Sequence, residues 1–314
     1  MIRDFRPSDT PTLVDFLTTQ FPAEEAIIGS HPERFFEITR RVYRWDSRLI
    51  LGLLRLVGKP VYRFLVVDEG GRAVATTILT FPGPAVYISM VATDPKVRRR
   101  GLATSLLRRT QEVAQRMGRQ YLVLDVLSDN APARALYEGR LGYGALREAA
   151  YLVHDRPSDF AGGSAALPAG IRRYRRSDES ALVKIARRQT PSEVERVLPR
   201  KVSGLAGSRI EARLFRTESV AWVVDRGQGP EAGMGVSWSP DVDAAHFADP
   251  IVSPTADPAT VRELVRTAGA WCAARGALRI AGQVPVANGP GRSALEREGF
   301  HGALSLWTLY RTVR

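Results

Sequence analysis

The segment Val86–Gly118, VYISMVATDPKVRRRGLATSLLRRTQEVAQRMG, passes from a strand through a basic turn straight into a helix. That helix, expected over about 101–117, carries Leu102, Leu106, Val113 and Met117 as one apolar stripe. Arg98, Gly101 and Ala103 stand across the junction at the spacing R-x-x-G-x-A. Physically this is an anion seat. The first N–H groups of a helix lack internal partners, and the helix dipole favours negative charge there. Gly101 lets the backbone approach a bulky phosphate, small Ala103 keeps the next turn clear, and the arginines add charge-assisted contacts. Three arginines at a helix N-terminus oppose the dipole, so they need an anion beside them.

Outward from this segment the chain repeats itself. Asn130–Tyr143 reads NAPARALYEGRLGY and Asn288–Phe300 reads NGPGRSALEREGF, but Leu295 stands where the first has Tyr137. Residues 2–17, IRDFRPSDTPTLVDFL, are echoed by IRRYRRSDESALVKIA at 171–186, each with a Ser-Asp pair that offers a helix N-cap. Residues 62–81 and 220–238 each read as strand, turn, strand. A third strand, a long helix (about 101–117 and 258–275) and a short apolar strand (121–127 and 277–284) follow in both copies. A period of about 160 residues is too long for a solenoid and means two domains of one fold. Their mixture of hairpins and strand–helix alternation is an α/β or α+β arrangement. The expected division is 1–154, a Pro/Gly/Ala/Ser-rich linker at 155–170, and 171–314.

The totals set bounds on function. At 314 residues there is room for two ordinary cores. The lone cysteine, Cys272, excludes an intrachain disulfide and reads as a core residue. No apolar stretch has membrane-spanning length and the start lacks a signal-peptide core, so a cytoplasmic protein with no membrane partner is expected. The net charge of +12 suggests nucleic acid at first sight. Yet only Lys59, Lys96, Lys184 and Lys201 among the 45 basic residues are lysines, and the excess spreads evenly, 23 basic against 18 acidic residues in 1–160 and 22 against 15 beyond. With no block of five or more like charges and no aromatic-basic nucleic-acid motif, no nucleic-acid partner is expected. The four histidines, His31, His154, His246 and His301, show no ligand spacing, so no metal is expected.

Strand, R-x-x-G-x-A turn, helix, strand and then NAPARALYE closely resemble the GNAT superfamily of acyl-CoA-dependent N-acyltransferases. The resemblance covers residues 1–154 well and the second copy more weakly; Asp94-Pro95 and Gly142-Tyr143 also match. It implies an α/β (α+β mixed) fold of two tandem GNAT-like domains, each a central mixed twisted sheet flanked by helices. It implies acetyl-CoA as co-substrate and an amine as acceptor. By the same resemblance, Val91, Ala92 and Thr93 lend backbone groups to the pantetheine arm. Arg98, Arg99, Arg100, Gly101, Leu102, Ala103 and Thr104 hold the pyrophosphate. Asn130, with Ala133 beside it, contacts the pantetheine arm, and Tyr137 protonates the departing thiolate.

The chemistry suits these residue types. A tyrosine hydroxyl near the sulfur is a fitting general acid, and strand N–H groups can polarise the acyl carbonyl. The base is less plain. The central strand has Ser89 where many relatives carry a Glu, and there is one extra residue between Tyr137 and Gly142. Asp125, alone in YLVLDVL, is one candidate base, or else a buried Asp with backbone partners; Glu24 and Glu25 are others, or else a solvated loop. The apolar run 46–60 covers the acyl site, packs on the second copy, or is simple core.

The second copy lacks both devices. Its turn, FADPIVSPTADPATVRELV, has no glycine; Asp257-Pro258 reads as a capped helix start whose carboxylate would repel a diphosphate. It is expected to be a scaffold, within a monomer built as an internal pseudo-dimer or within a homodimer. A non-catalytic acyl-CoA-binding module of the same fold is the alternative function.

Overall fold

The computed structural model describes residues 1–17, 20–22, 26, 27, 62–162, 166–200, 202, 205, 207, 212 and 216–313. Glu24, Glu25 and the apolar run 46–60 lie outside the described residues. The first repeat supplies β1 (Ile2–Asp4), α1 (Thr10–Leu17), β2 (Tyr62–Glu69), β3 (Arg72–Thr80), β4 (Ala85–Thr93), α2 (Leu102–Arg116), β5 (Tyr121–Leu127), α3 (Ala131–Arg134) and β6 (Gly144–His154). The second supplies β7 (Ile171–Arg173), α4 (Glu179–Gln189), α5 (Ser192–Val197), β8 (Glu218–Asp225), β9 (Pro230–Trp238), β10 (Ala244–Phe247), β11 (Ile251–Val252), α6 (Pro258–Ala273), β12 (Arg279–Pro285), α7 (Gly289–Arg297) and β13 (His301–Thr312). The mixed α/β architecture is the expected one.

Local chemistry explains the repeated spellings. The β2–β3 hairpin turns on Gly70 and Gly71, whose φ of 61° and 81° suit a primed turn. The Ser-Asp pairs do not cap the helices that follow them. Asp9 accepts from the Arg6 amide at 2.7 Å and is gripped at both oxygens by Arg3, which also reaches Asp68. Asp178 does the same with Arg175, Arg172 and Asp225 in the second repeat. Each Asp stands at the third position of a short 3-10 turn leading into the helix and accepts from the amide of the turn's N-cap, so it caps the turn from inside and not as the N-cap itself. The lock ties the first strand to the hairpin in both copies.

The strands form one sheet in the order β1-β2-β3-β4-β5-β13-β6-β12-β10-β9-β8-β7, with β11 beside β9. The last strand of each repeat is exchanged. β13 pairs antiparallel with β5, with Thr308 opposite Asp125, while β6 pairs with β12, with Tyr151 opposite Gln283. β6 and β13 also pair with each other across a pseudo-twofold axis. Covering residues are exchanged too. Val197 of α5 packs with Ala85 and Val123 of the first repeat, and Ile27 packs with Ala244 and Ala281 of the second. Chain order and spatial grouping therefore differ at 144–154 and 301–312.

The segment between the repeats is no loose tether along its whole length. Pro157–Phe160 forms a 3-10 turn, and the Phe160 ring lies 4.6 Å from the His154 ring. A Cβ on Gly269 of α6 would come within 2.5 Å of that ring, so only glycine admits it. Cys272 on the same helix is fully buried, and burial pushes its thiol up to about 12.

Candidate active site

β4 and β5 run parallel from Ala85↔Tyr121 to Ile88↔Leu124 and then part. The cause is a bulge at Met90, a non-glycine residue with φ of 51°, where the β3–β4 register slips. The bulge also resets the side-chain alternation. Val86 and Ile88 face the core under α2, but beyond Met90 it is Val91 that packs on that side. Ala92 turns to the opposite face, buried against α1 with Phe16 and Leu17.

Beside this split lies a cleft of about 650 Å³. Of the residues singled out from sequence, Val91, Thr93, Arg98, Arg99, Gly101, Leu102, Ala103, Thr104, Asn130, Ala133 and Tyr137 line it. Ala92 does not, for the reason just given. Arg100 does not either: it points to solvent and pairs with Glu69 at 3.0 Å. Gln20, Pro132, Ala135, Leu136 and Arg140 line it without having been singled out. Arg140 carried a signal, one turn after Tyr137 on a segment already assigned to the site; Gln20, distant in sequence, carried none.

The floor is the N-terminus of α2. Its N-cap is Gly101 in the left-handed region at φ 76°, with no side chain to satisfy the first amides. Arg99 also has positive φ, 63°, a strained choice for a branched-chain-free but bulky residue. Successive turn and helix amides thus form a concave donor nest of the kind that takes an anion. A Cβ built on Gly101 meets nothing within 4 Å, so the space in front of the turn is open. Asn130 caps α3 through its side-chain oxygen, which accepts from the Ala133 amide at 3.2 Å. Its amide nitrogen has no partner among the described residues.

Tyr137 lies in a π-helical turn, Ala135–Arg140, that continues α3. This turn absorbs the extra residue before Gly142, and the Leu141 amide accordingly reaches back five residues to the Leu136 carbonyl. The second repeat, one residue shorter here, keeps a regular α-helix. Tyr137 is 7% exposed, and burial pushes its hydroxyl up to about 12. It therefore stays protonated at any ordinary working pH, as an acid must.

Asp125 is not in the cleft. It sits on the other face of the sheet, the first residue of β5 beyond the last β4–β5 pair. Its carboxylate accepts from the Tyr87 hydroxyl, from Thr308 Oγ1 at 2.7 Å and from Gln283 Nε2 at 3.2 Å. The last two belong to the second repeat.

In the second repeat the corresponding features are filled by protein. Asp257 accepts from the Ala259 and Thr260 amides, taking the donors a ligand would need, and Arg226 pairs with it at 2.5 Å. The Thr260 hydroxyl, the Thr260 amide and Arg226 hold its carboxyl down at about 2. Asn288, the counterpart of Asn130, is buried and donates to Asp249 at 2.6 Å and to the Pro250 carbonyl at 2.7 Å. Arg200 pairs with Asp249 at 3.0 Å, and Leu295 is fully buried. Among the described residues no three His, Cys, Asp or Glu side chains group as metal ligands, and no helix is long and apolar enough to cross a membrane.

Residues 17–143 match the model of the acetyltransferase (GNAT) family. No curated protein sequence matches the chain. Among solved structures, a tandem GNAT protein from the clavulanic acid biosynthesis pathway superposes with a TM-score of 0.64 at 16% identity, covering 100% of this chain and 98% of its own. A GCN5-related N-acetyltransferase from Sphaerobacter thermophilus gives 0.64 at 16% identity over 100% and 96%. An acetyltransferase from Pyrococcus horikoshii gives 0.59 at 14% over 100% and 89%. At these identities the likeness is one of fold, and it spans the whole chain.

Proposed function

We propose that this chain, whose residues 17–143 match the acetyltransferase (GNAT) family model and whose fold is that of tandem GNAT structures, transfers an acetyl group from acetyl-CoA to a primary amine by direct attack. The observation that supports it most is the cleft: an uncapped helix N-terminus, a split between two strands and a buried tyrosine hydroxyl converge on one space of about 650 Å³. The residues fit the co-substrate. The amides from Arg99 to Thr104, with Arg98 and Arg140 at the rim, suit a pyrophosphate. Val91, Thr93 and Asn130 suit a pantetheine arm, whose amides need strand-like hydrogen-bond partners. When bound, the thioester supplies an activated acyl carbon.

The residues of this chain then do the rest. Where the strands part, the β4 edge is suited to turn backbone N–H groups toward the acyl oxygen. Tyr137 keeps its proton until the sulfur leaves and then gives it up, a role worth about 10²–10⁴-fold in rate. Asp125, the first residue of β5 beyond the last β4–β5 pair and on the face of the sheet opposite the cleft, serves as base. The second repeat supplies sheet partners and covering residues but no second anion seat.

The test is calorimetric titration with acetyl-CoA, followed by mass spectrometry of an amine panel incubated with both. One site per chain and an acetylated amine are expected. No binding would overturn the reading. Two sites would show that the Asp257 cap yields to the ligand. Binding without any transfer would favour the non-catalytic module.

A further inference from the structure

Pairwise register makes the two halves of the seam directly comparable. Tyr87 and Asp125 of the first repeat correspond to His246 and Gln283 of the second, because Ala85↔Tyr121 and Ala244↔Arg279 are equivalent strand pairs. Thr308 corresponds in the same way to Tyr151, each lying opposite the acidic or amide position of the other repeat. Only the first repeat has a carboxylate there. That carboxylate is held from both sides: Tyr87 donates from β4, while Thr308 and Gln283 donate from the second repeat. Arg147 on β6 reaches Asp125 only through Thr308, donating to its hydroxyl at 3.3 Å. Among the described residues no arginine or lysine forms an ion pair with Asp125. Contrast Asp9 and Asp178, each gripped at both oxygens by an arginine.

Position adds to this. Ile88↔Leu124 is the last pair before the strands part, so Tyr87 and Asp125 flank the mouth of the split. Tyr137 packs with Leu106 and Leu124 on the α2 side of the sheet. Tyr87 packs with Val123 and Val197 on the other side. An acyl carbon lying in the split would therefore have the acid on one side and this pair on the other, so that the proton taken from the amine and the proton given to the sulfur are handled by separate groups.

Resting on the transferase reading above, we propose that Tyr87 and Asp125 form a proton relay for the incoming amine, and that Thr308 and Gln283 of the second repeat are its positioning residues. The amine arrives as an ammonium. Tyr87 Oη takes one of its protons while its own proton passes to the Asp125 carboxylate, leaving Tyr87 neutral and Asp125 a carboxylic acid. The freed nitrogen lone pair forms the C–N bond. The C–S bond then breaks with its electron pair going to sulfur, and the sulfur takes the Tyr137 proton. The second nitrogen proton restores Tyr137, and the Asp125 proton leaves to solvent. The second repeat is thus part of the active site through two side chains, which a passive scaffold would not be. Burial and the neighbouring Asp125 charge hold the Tyr87 hydroxyl well above its ordinary value, with Arg147 opposing and Tyr151 adding to the effect. Such a phenol passes a proton on without resting as a phenolate.

The test uses the full chain, acetyl-CoA and a fixed panel of n-butylamine, spermidine, glycinamide and a lysine peptide, reading thiol release. Tyr87→Phe and Asp125→Asn should each lower kcat by about 10²-fold or more. The double variant should be no worse than the weaker single, because groups acting as a unit do not add. Thr308→Val and Gln283→Leu should each cost about tenfold in kcat, Thr308→Ser should restore it, and neither loss should appear in the Asp125→Asn background. Acetyl-CoA affinity and melting temperature, measured on every variant, should stay at wild-type values. Additive losses, or unchanged kcat in Asp125→Asn, would overturn the relay while leaving the transferase reading intact. No thiol release from the wild-type chain would overturn that reading and the relay with it.

Discussion

Tyr137 shows how much one side chain can decide. Its ring is buried against Tyr143 at 6.1 Å between centroids, so Tyr137→Phe keeps the packing and removes only the hydroxyl. Turnover should fall by about 10²–10⁴-fold, with the acetyl-CoA dissociation constant from calorimetry unchanged. The pH dependence has a definite sign. The protonated form is the active one and burial pushes the hydroxyl up to about 12. Activity owed to Tyr137 is present at lower pH and lost only as pH rises through about 12, so a profile taken to pH 10 should show no falling limb from it. Such a limb, removed by Tyr137→Phe, would mean a much less buried hydroxyl. The sequence made Tyr137 legible because a repeat with Leu295 stands beside it as a control. It could not reveal Tyr87, an aromatic in a strand like many others, whose use depends on what Asp125 meets across the seam.

At the scale of elements, helix ends were readable and strand irregularities were not. The α2 start follows from Gly101 and the α6 start from Asp257-Pro258, because capping is written in residue types a few positions apart. The bulge at Met90 has no such spelling: methionine gives no hint of a left-handed backbone, and the side-chain direction of Ala92 beyond it is not written in the strand. The π-helical turn was half legible, as an extra residue of unknown conformation. Gly101→Ala tests the α2 start. The new Cβ meets nothing within 4 Å, so the folded protein suffers only the left-handed backbone, about 1–2 kcal/mol. The methyl group would occupy the mouth of the amide nest, and acetyl-CoA binding should weaken at least tenfold while the melting temperature falls only modestly. Wild-type affinity by calorimetry would remove Gly101 from the anion seat.

For the whole molecule, the exchange of β6 and β13 is the feature that no single repeat could announce. Both strands have the same apolar pattern whichever sheet receives them, so their sequences do not choose. The structure makes each repeat incomplete alone: in a fragment of residues 1–160, β6 loses both neighbours and β5 loses its outer one. Two fragments can repair this by lending β6 to each other, since β6 takes in one repeat the place that β13 takes in the other. The fragment should therefore run as a dimer in light scattering. That dimer carries a built-in flaw. Gln283, which donates to Asp125 at 3.2 Å in the intact chain, is replaced by a second Asp125, and two carboxylates face each other across the axis. Asp125→Gln in the fragment should lower the dimer dissociation constant at neutral pH, and acidification should tighten the unsubstituted dimer toward the same value. A folded monomeric fragment would mean that β6 can close on its own β5, and that the exchange comes from the linked second repeat rather than from the strands themselves.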